Sequence, residues 1–254
     1  MSGPPGLYEQ EALWKVTGEV VRPGGLEMTD RLVELCGFRA GDRVLDAGCG
    51  AGAAVERLRS RGLKALGIDP SEVLLEKARR RFRNKDDLLE PEASFSPPFA
   101  RAAAEALPFP DACLQGVLCE CVLSLTDSME GALKELHRVL APGGSLGVTD
   151  VYASLPREPA REPPWPVRCC LQGAVTRREV EAKMRQAGFE VLVWEDRTQA
   201  LKELAARLVW AFGSLEGFWN SVCPEPGETG LTRRASEGRP GYYLLVARKV
   251  GSDF

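Results

Sequence analysis

Short apolar runs alternate with longer stretches of helical period between about Arg43 and Asp150. This alternation is typical of βα units built around a parallel sheet, and it predicts an α/β fold. One helix is expected to start with Ser71 as its N-cap, because Glu72 follows in the first turn. The predicted strands open at 44–45 and then cover 65–68, 114–118, 145–151, 189–194 and 242–248. The predicted helices cover 52–62, 71–82, 128–140, 177–187 and 199–212.

Three segments interrupt this pattern. Residues 84–98 are rich in acids, Ser and Pro and predict a loop or an irregular helix. Residues 156–166 carry five prolines and predict a connecting loop over a surface or site. Residues 224–240 are polar and predict a mobile segment. In the helix 199–212 an apolar stripe predicts a face that packs on the core, with Trp210 off that stripe.

The composition is that of a globular protein. The chain has 254 residues, of which 44% are hydrophobic and 27% charged, so wholesale disorder and a disulfide-stapled miniprotein are both excluded. The formal net charge is -3, which provides no positive field for nucleic acid. No apolar run approaches the roughly 18 residues that span a bilayer, and the first residues do not resemble an export signal. We therefore expect a cytoplasmic protein with neither a nucleic-acid nor a membrane partner.

Cysteine is frequent and histidine is scarce. In a chain without an export signal, thiols are expected to be free and to act mainly as small buried apolar filler. His137 is the one histidine, which excludes mechanisms that need a histidine pair or a histidine-rich metal site, and no metal is expected. The eight cysteines are Cys36, Cys49, Cys113, Cys119, Cys121, Cys169, Cys170 and Cys223.

A glycine-rich turn follows the first predicted strand. Residues 46–52 read Asp-Ala-Gly-Cys-Gly-Ala-Gly and open a helix. Glycines let the backbone approach a ligand closely, and free N–H groups at a helix start can bind it. Gly48, Gly50 and Ala53 fit the G-x-G-x-x-A spacing of dinucleotide-binding folds. Asp69 follows about twenty residues later and could hold a ribose, so a dinucleotide oxidoreductase is one alternative.

Asp46 argues against a dinucleotide. Its carboxylate precedes the first glycine of the turn by two residues, where a pyrophosphate would pass. Two like charges in a partly desolvated cleft repel by an energy on the order of several kcal/mol. S-adenosyl-L-methionine instead offers an ammonium group and a ribose diol and has no phosphate. We therefore predict this compound as the cofactor.

From Arg43 to Asp150 the chain resembles the class I S-adenosylmethionine-dependent methyltransferases. The resemblance implies a Rossmann-like fold, with a mainly parallel seven-stranded sheet, helices on both faces and a helical insertion before the last strand. Residues 104–111 resemble the segment that brackets the adenine. Ala103 stands where the family often has an acid, so recognition of the adenine amino group is expected to be weaker or to fall to Glu105. The implied cofactor-binding residues are Asp46, Gly48, Cys49, Gly50, Gly52, Asp69, Pro70, Ala104, Glu105 and Cys119.

The domain organisation follows from the same resemblance. Residues 1–40 are expected to form an N-terminal segment that covers the active site, and residues 41–254 the methyltransferase domain. Residues 198–240 would be an insertion that acts as a lid or a dimer face, in a monomer or a homodimer. Residues 136–144 resemble the family's helix and turn before its fifth strand, which makes His137 a surface helix residue.

Three further segments, 119–125, 149–154 and 170–175, recur in similar form and order in arsenite methyltransferases. In that family a cysteine before a Gly-Ala pair binds trivalent arsenic, and Cys170 matches its position; Cys121 matches a family cysteine after the fourth strand. A thiophilic metalloid is held by deprotonated thiolates and needs positioning more than a strong base. The chain departs from the family at its N-terminus, which lacks the Tyr-Tyr-Gly-Cys motif, and at Cys223, which a polar loop separates from the last strand.

Two other functions remain open. One is methyl transfer to a small organic acceptor such as a quinone-like ring or a hydroxylated metabolite, with Asp150, Tyr152 or Glu120 in contact with the acceptor. The N-terminal segment and the helix 199–212 would then wall the pocket. The other is a noncatalytic cofactor-binding protein. The candidate catalytic residues across these alternatives are Cys170, Cys121 and Asp150.

Overall fold

Seven strands form one sheet in the order β3-β2-β1-β4-β5-β7-β6. The computed structural model describes residues 6–18, 20–83, 98–156, 165–223 and 230–250. The pairs among β1 to β5 are parallel, and β7 runs antiparallel to both β5 and β6. The predicted Rossmann-like fold is therefore confirmed. The strands are β1 (Arg43–Ala47), β2 (Lys64–Asp69), β3 (Phe99–Arg101), β4 (Leu114–Glu120), β5 (Leu140–Ala153), β6 (Phe189–Asp196) and β7 (Pro240–Lys249).

Helices cover both faces of the sheet, and this is why β1, β2 and β4 are apolar along nearly their whole length. Leu133 and Met184 pack on one face, and Leu32, Leu58 and Leu75 pack on the other. The helices are α1 (Glu11–Thr17), α2 (Gly25–Cys36), α3 (Ala53–Ser60), α4 (Glu72–Arg83), α5 (Met129–Val139), α6 (Arg177–Gln186), α7 (Thr198–Phe212), α8 (Leu215–Val222) and α9 (Leu231–Ser236).

Local sequence signals set several of these boundaries. The hydroxyl of Ser71 accepts the backbone N–H of Leu74 at 3.2 Å, which confirms the predicted N-cap of α4. Ser128 caps α5 in the same way through Gly131 at 3.0 Å. Strand β5 begins directly after α5, so the turn at residues 141–144 lies inside the strand as an irregularity in its pairing with β4. The sequence pattern predicts a strand only from residue 145, whereas β5 begins at Leu140.

Helices α1, α7, α8 and α9 pack together in a layer with its own apolar cluster. Leu13 of α1, Leu208 of α7 and Trp219 of α8 belong to one buried apolar cluster, which also includes Leu231 of α9. The predicted stripe of α7 is confirmed, since Leu208 is buried whereas Trp210 is 92% exposed.

The connecting segments lie only partly within the described residues. In the segment 224–240, which the sequence predicts to be polar and mobile, residues 231–236 form α9, with Leu231 buried in the helical cluster and Ala235 packed against it. Residues 84–97, 157–164 and 224–229 lie outside the described residues, and so do most of the loops predicted at 84–98 and 156–166. Within the described ranges, no helix combines the length and apolar character needed to cross a bilayer.

Candidate active site

A cavity of about 430 Å³ opens at the carboxyl ends of β1, β2 and β4. In open α/β sheets this edge is where ligands bind. The turn after β1, the end of β2 and the end of β4 form its floor. Residues before α2, among them Tyr8, Trp14 and Arg22, also line it. The lining includes Tyr8, Glu9, Trp14, Val21, Arg22, Gly48, Cys49, Gly50, Asp69, Pro70, Ser71, Ala103, Ala104, Glu105, Glu120, Cys121, Val122, Leu125, Asp127 and Arg168.

The turn after β1 requires glycine for two reasons. Gly48 and Gly52 have φ angles of 82° and 80°, a left-handed conformation that side chains disfavour. A Cβ atom on Gly48 would lie 2.2 Å from Cγ2 of Val122. The backbone N–H groups of Gly48 and Cys49 each donate to the carbonyl of Ile68 at 2.8 Å, which ties the turn to β2. The turn is thus fixed against the floor of the cavity.

Asp69 ends β2 and anchors the same turn. Its Oδ2 atom accepts the N–H of Gly50 at 2.9 Å, and its Oδ1 atom accepts the N–H of Ser71 at 2.8 Å. Burial raises the pKa of Asp69, while these two backbone hydrogen bonds act in the opposite direction. The residue predicted to hold a ribose therefore lines the cavity in a fixed orientation.

The charged side chains of Arg22, Asp46 and Glu120 lie close together beside the cavity. The Nε atom of Arg22 is 2.8 Å from Oε2 of Glu120, whose Oε1 atom accepts the hydroxyl of Thr29 at 3.0 Å. Burial and the Glu120 carboxylate raise the pKa of Asp46 to about 7, with Arg22 opposing the shift. Arg22 and Glu120 line the cavity, but Asp46 lies behind them and does not. Asp46, which the sequence predicts to bind the cofactor, therefore meets the cavity only through the turn that follows it.

Sequence reasoning missed Arg22. Arg22 precedes Pro23 and two glycines. These residues indicate a tight turn, but no pattern among them indicates a cofactor site. Its partner Glu120 lies at the end of β4, so only the folded sheet brings the pair together. Tyr8, Glu9 and Trp14 were missed for the same reason.

The two predicted thiols take different positions. Cys121 lines the cavity, has a strained φ of 59°, and places its Sγ atom 3.1 Å from the hydroxyl oxygen of Tyr242. Cys170 packs in the same apolar cluster but does not line the cavity; its backbone N–H donates to the hydroxyl of Tyr8 at 3.2 Å. Burial raises the pKa of both thiols far above the usual range. Both sulfurs are therefore protonated at neutral pH.

Of the other cysteines, Cys49 lines the cavity, whereas Cys119 and Cys223 do not. Cys119, on β4, is fully buried in the core, and Cys223 packs in the separate helical cluster. Within the described ranges, no group of three His, Cys, Asp or Glu side chains is arranged to hold a metal ion.

Asp150 is buried beneath the loop after β4 and does not line the cavity. It accepts the N–H of Ser124 at 2.9 Å, the hydroxyl of Ser124 at 2.5 Å and the N–H of Val151 at 2.7 Å. Burial raises its pKa to about 6, with these hydrogen bonds opposing the shift. The arrangement suits a residue that positions the loop.

Some of the other predicted cofactor-binding residues line the cavity and others do not. Pro70, Ala104 and Glu105 line the cavity together with Cys49 and Gly50, whereas Gly52 and Cys119 do not. Glu105 accepts the N–H of Asp127 at 2.8 Å, which links the predicted adenine segment to the loop after β4. Tyr152 donates to Asp196 at 2.7 Å, outside the lining, and α7 contributes no lining residue.

The chain is similar to known methyltransferases. Residues 45–148 match a family described as "Methyltransferase domain". The 27-O-demethylrifamycin SV methyltransferase of Amycolatopsis mediterranei (strain S699) is 30% identical over 244 residues, which cover 93% of this chain and 88% of the relative. The fold and the site define a class I S-adenosylmethionine-dependent enzyme. The chain belongs to the methyltransferase family and uses S-adenosyl-L-methionine as its cofactor.

Two other similarities are weaker. The arsenite methyltransferase of Halobacterium salinarum (strain ATCC 700922 / JCM 11081 / NRC-1) is 27% identical over 157 residues, which cover 60% of this chain and 38% of that relative. Phosphoethanolamine N-methyltransferase 2 of Haemonchus contortus, solved with S-adenosyl-L-methionine, superposes with a TM-score of 0.69 at 17% identity and covers 95% of this chain and 56% of that one. The second likeness supports the fold alone.

Proposed function

We propose that this methyltransferase transfers the sulfonium methyl group of S-adenosyl-L-methionine to a hydroxyl group of a small organic acceptor. The main support is geometric: of the two candidate thiols, Cys121 lines the cavity and Cys170 does not. A trivalent arsenic centre needs several thiolates around it, and each must lose its proton. Burial raises the pKa of Cys121 and Cys170, and only Cys121 lines the cavity.

The cavity walls suit an organic molecule. Val21, Val122 and Leu125 provide an apolar lining, and Tyr8 adds an aromatic ring with a hydroxyl group. Pockets for small organic ligands combine such apolar walls with a few fixed polar groups. The relative from Amycolatopsis, whose name describes action on 27-O-demethylrifamycin SV, aligns over nearly the whole chain, which also favours an organic acceptor.

The two ends of the cavity would hold the two ends of the cofactor. Asp69 is placed to accept hydrogen bonds from the ribose, and the 102–105 backbone borders the adenine. Arg22 and Glu120 carry the charges that complement the carboxylate and the ammonium of the methionine portion. Cys121 and Leu125 line the same cavity and would border the acceptor.

S-adenosyl-L-methionine held in this cavity would supply an electrophilic methyl group to the acceptor oxygen, and S-adenosylhomocysteine would be the second product. His137, the one histidine, packs against Phe189 with its ring centroid 5.2 Å away and is not in the lining. Catalysis would therefore rest on positioning and exclusion of water, with the hydroxyl proton released to solvent. A phenol-like hydroxyl with a pKa near 10 suits this mechanism best.

Arsenite is the second candidate. One observation favours it: Cys121 and Cys170 pack in a single cluster beside the cavity, in the order expected from the family resemblance. The partial similarity to an arsenite methyltransferase adds to it. Binding of the metalloid would have to displace the protons of both thiols, and burial makes the loss of those protons costly.

Methyl-labelled cofactor and a panel of acceptors distinguish the two. The panel contains hydroquinones, phenols, hydroxylated macrocycles and arsenite, and labelled products are identified by mass. We expect labelled ethers from hydroxyl acceptors, with loss of product in Asp69→Ala and retention in Glu11→Ala, which changes an exposed residue of α1. Methylation of arsenite alone, or of no hydroxyl compound in the panel, would overturn the proposal.

A further inference from the structure

Glu9 brings a second carboxylate to the part of the cavity that contains Asp69. Both side chains line the cavity, and Ser71 lies between them. The backbone N–H of Ser71 donates to Oδ1 of Asp69 at 2.8 Å, and its hydroxyl donates to Oε1 of Glu9 at 2.6 Å. The negative charge of Glu9 also contributes to the raised pKa of Asp69, after burial. The two carboxylates are therefore close neighbours.

Glu9 lines the cavity and keeps hydrogen-bonding capacity. An ionised carboxylate has about four acceptor sites. Within the described part of the chain, the Oε2 atom of Glu9 has no hydrogen-bond donor, whereas both oxygens of Asp69 accept backbone N–H groups. A ligand that offers two adjacent hydroxyl donors would match this pair of carboxylates.

The hydrogen bond from Ser71 is not needed to hold the segment around Glu9. On one side Tyr8 accepts the N–H of Cys170 at 3.2 Å. On the other, the side-chain amide of Gln10 donates to the carbonyl of Val222 at 2.7 Å. Further along, the ammonium of Lys77 lies 3.5 Å from the ring centroid of Trp14. The backbone would therefore keep its place without the Glu9 carboxylate.

We propose that Glu9 is a second ribose-binding residue, which accepts one hydroxyl of the S-adenosylmethionine ribose while Asp69 accepts the other. A vicinal diol presents two donors side by side, and the two carboxylates present two acceptors across Ser71. Hydrogen bonds from a neutral donor to a charged acceptor are among the stronger ones in proteins. Glu9 would thus be a cofactor contact that comes from the N-terminal segment.

Ligands that lack one hydroxyl test this assignment. Dissociation constants are measured by calorimetry for S-adenosylhomocysteine and its 2′-deoxy and 3′-deoxy analogues, with the wild type, Glu9→Ala, Glu9→Gln and the control Glu11→Ala. The wild type and Glu11→Ala should bind each analogue about 10- to 100-fold more weakly than the parent compound. Glu9→Ala should bind the parent more weakly by a similar factor.

The decisive result is the pattern across analogues. In Glu9→Ala, removal of one of the two hydroxyls should cost no further affinity, while removal of the other should still cost the full factor. Glu9→Gln, which keeps one neutral acceptor, should fall between the wild type and Glu9→Ala. If Glu9→Ala weakens all three compounds by one common factor, or weakens none, Glu9 does not bind the ribose. Because S-adenosylhomocysteine binding needs no acceptor, the outcome is independent of the proposed hydroxyl substrate.

Discussion

Arg22 and Glu120 form an ion pair of 2.8 Å, from Nε to Oε2, at the wall of the cofactor cavity. The side chain of Glu120 is 2% exposed and that of Arg22 is 14% exposed. Arg22 comes from the N-terminal segment, whereas Glu120 ends a central strand. The pair therefore fastens the segment over the cavity to the sheet.

Loss of one partner should leave the other charge buried and unpaired. Arg22→Met is expected to lower the free energy of unfolding by about 3–5 kcal/mol, and Arg22→Met/Glu120→Gln should recover part of that loss. The matched control is Arg31→Met, which breaks a 2.7 Å pair with Glu195 whose arginine is 41% exposed; it should cost less than about 1 kcal/mol. Urea denaturation measures all three. Equal costs for Arg22→Met and Arg31→Met would show that the buried pair has no special role.

The stability should depend on pH through Asp46. Burial and Glu120 raise the pKa of Asp46 to about 7, and in the unfolded chain it is near 4. The native state thus binds this proton more tightly, so the free energy of unfolding falls as pH rises from about 4 to about 7, by at most about 1.4 kcal/mol per pH unit from this group. Above pH 7 the contribution is lost.

Asp46→Asn removes that titration. Relative to the wild type, the variant should gain stability between pH 5 and pH 8, as measured by urea denaturation at both values. Asp111→Asn, at an exposed position, should show no such gain. A constant difference between Asp46→Asn and the wild type at the two pH values would contradict the shifted pKa.

The glycine turn offers a steric test. Gly48→Ala should weaken cofactor binding at least tenfold, because the new Cβ would lie 2.2 Å from Cγ2 of Val122 and the residue has a φ of 82°. Gly143→Ala carries similar backbone strain, with a φ of 73°, but meets no atom within 4 Å and lies away from the cavity. It should leave affinity unchanged. Val122→Ala should restore part of the affinity in the Gly48→Ala background, and failure to do so would locate the effect in the backbone alone.

The thiols should be dispensable for methylation of a hydroxyl acceptor. Cys170→Ala removes a sulfur outside the cavity lining and keeps the backbone N–H that binds Tyr8. Its turnover of a hydroxyl acceptor, followed by mass spectrometry, should match that of the wild type and of the control Cys113→Ala. A loss of turnover in Cys170→Ala but not in Cys113→Ala would show that the Cys170 thiol takes part in the reaction.

The sequence was most informative where function depends on consecutive residues. The turn after β1 and Asp69 lie within 24 residues of one another along the chain, so their spacing alone indicated a cofactor. Arg22 and Glu9 reach the same cavity from the N-terminal segment, and no local pattern marks them. The thiols are a different case: their order along the chain resembles that of arsenite methyltransferases, but only Cys121 lines the cavity, and burial raises the pKa of both thiols. The pattern does not predict helix α9, because only Leu231 and Ala235 of this short helix provide apolar contacts.

We expect the acidic cavity to select a cationic, phosphate-free adenosyl compound. Calorimetric titration of the wild-type protein at pH 8 with S-adenosyl-L-methionine and with NAD⁺ tests this selectivity. One S-adenosyl-L-methionine site per chain is expected, competed by S-adenosylhomocysteine, with NAD⁺ affinity at least about 100-fold weaker. Comparable affinity for NAD⁺, with competition between the two compounds, would contradict it.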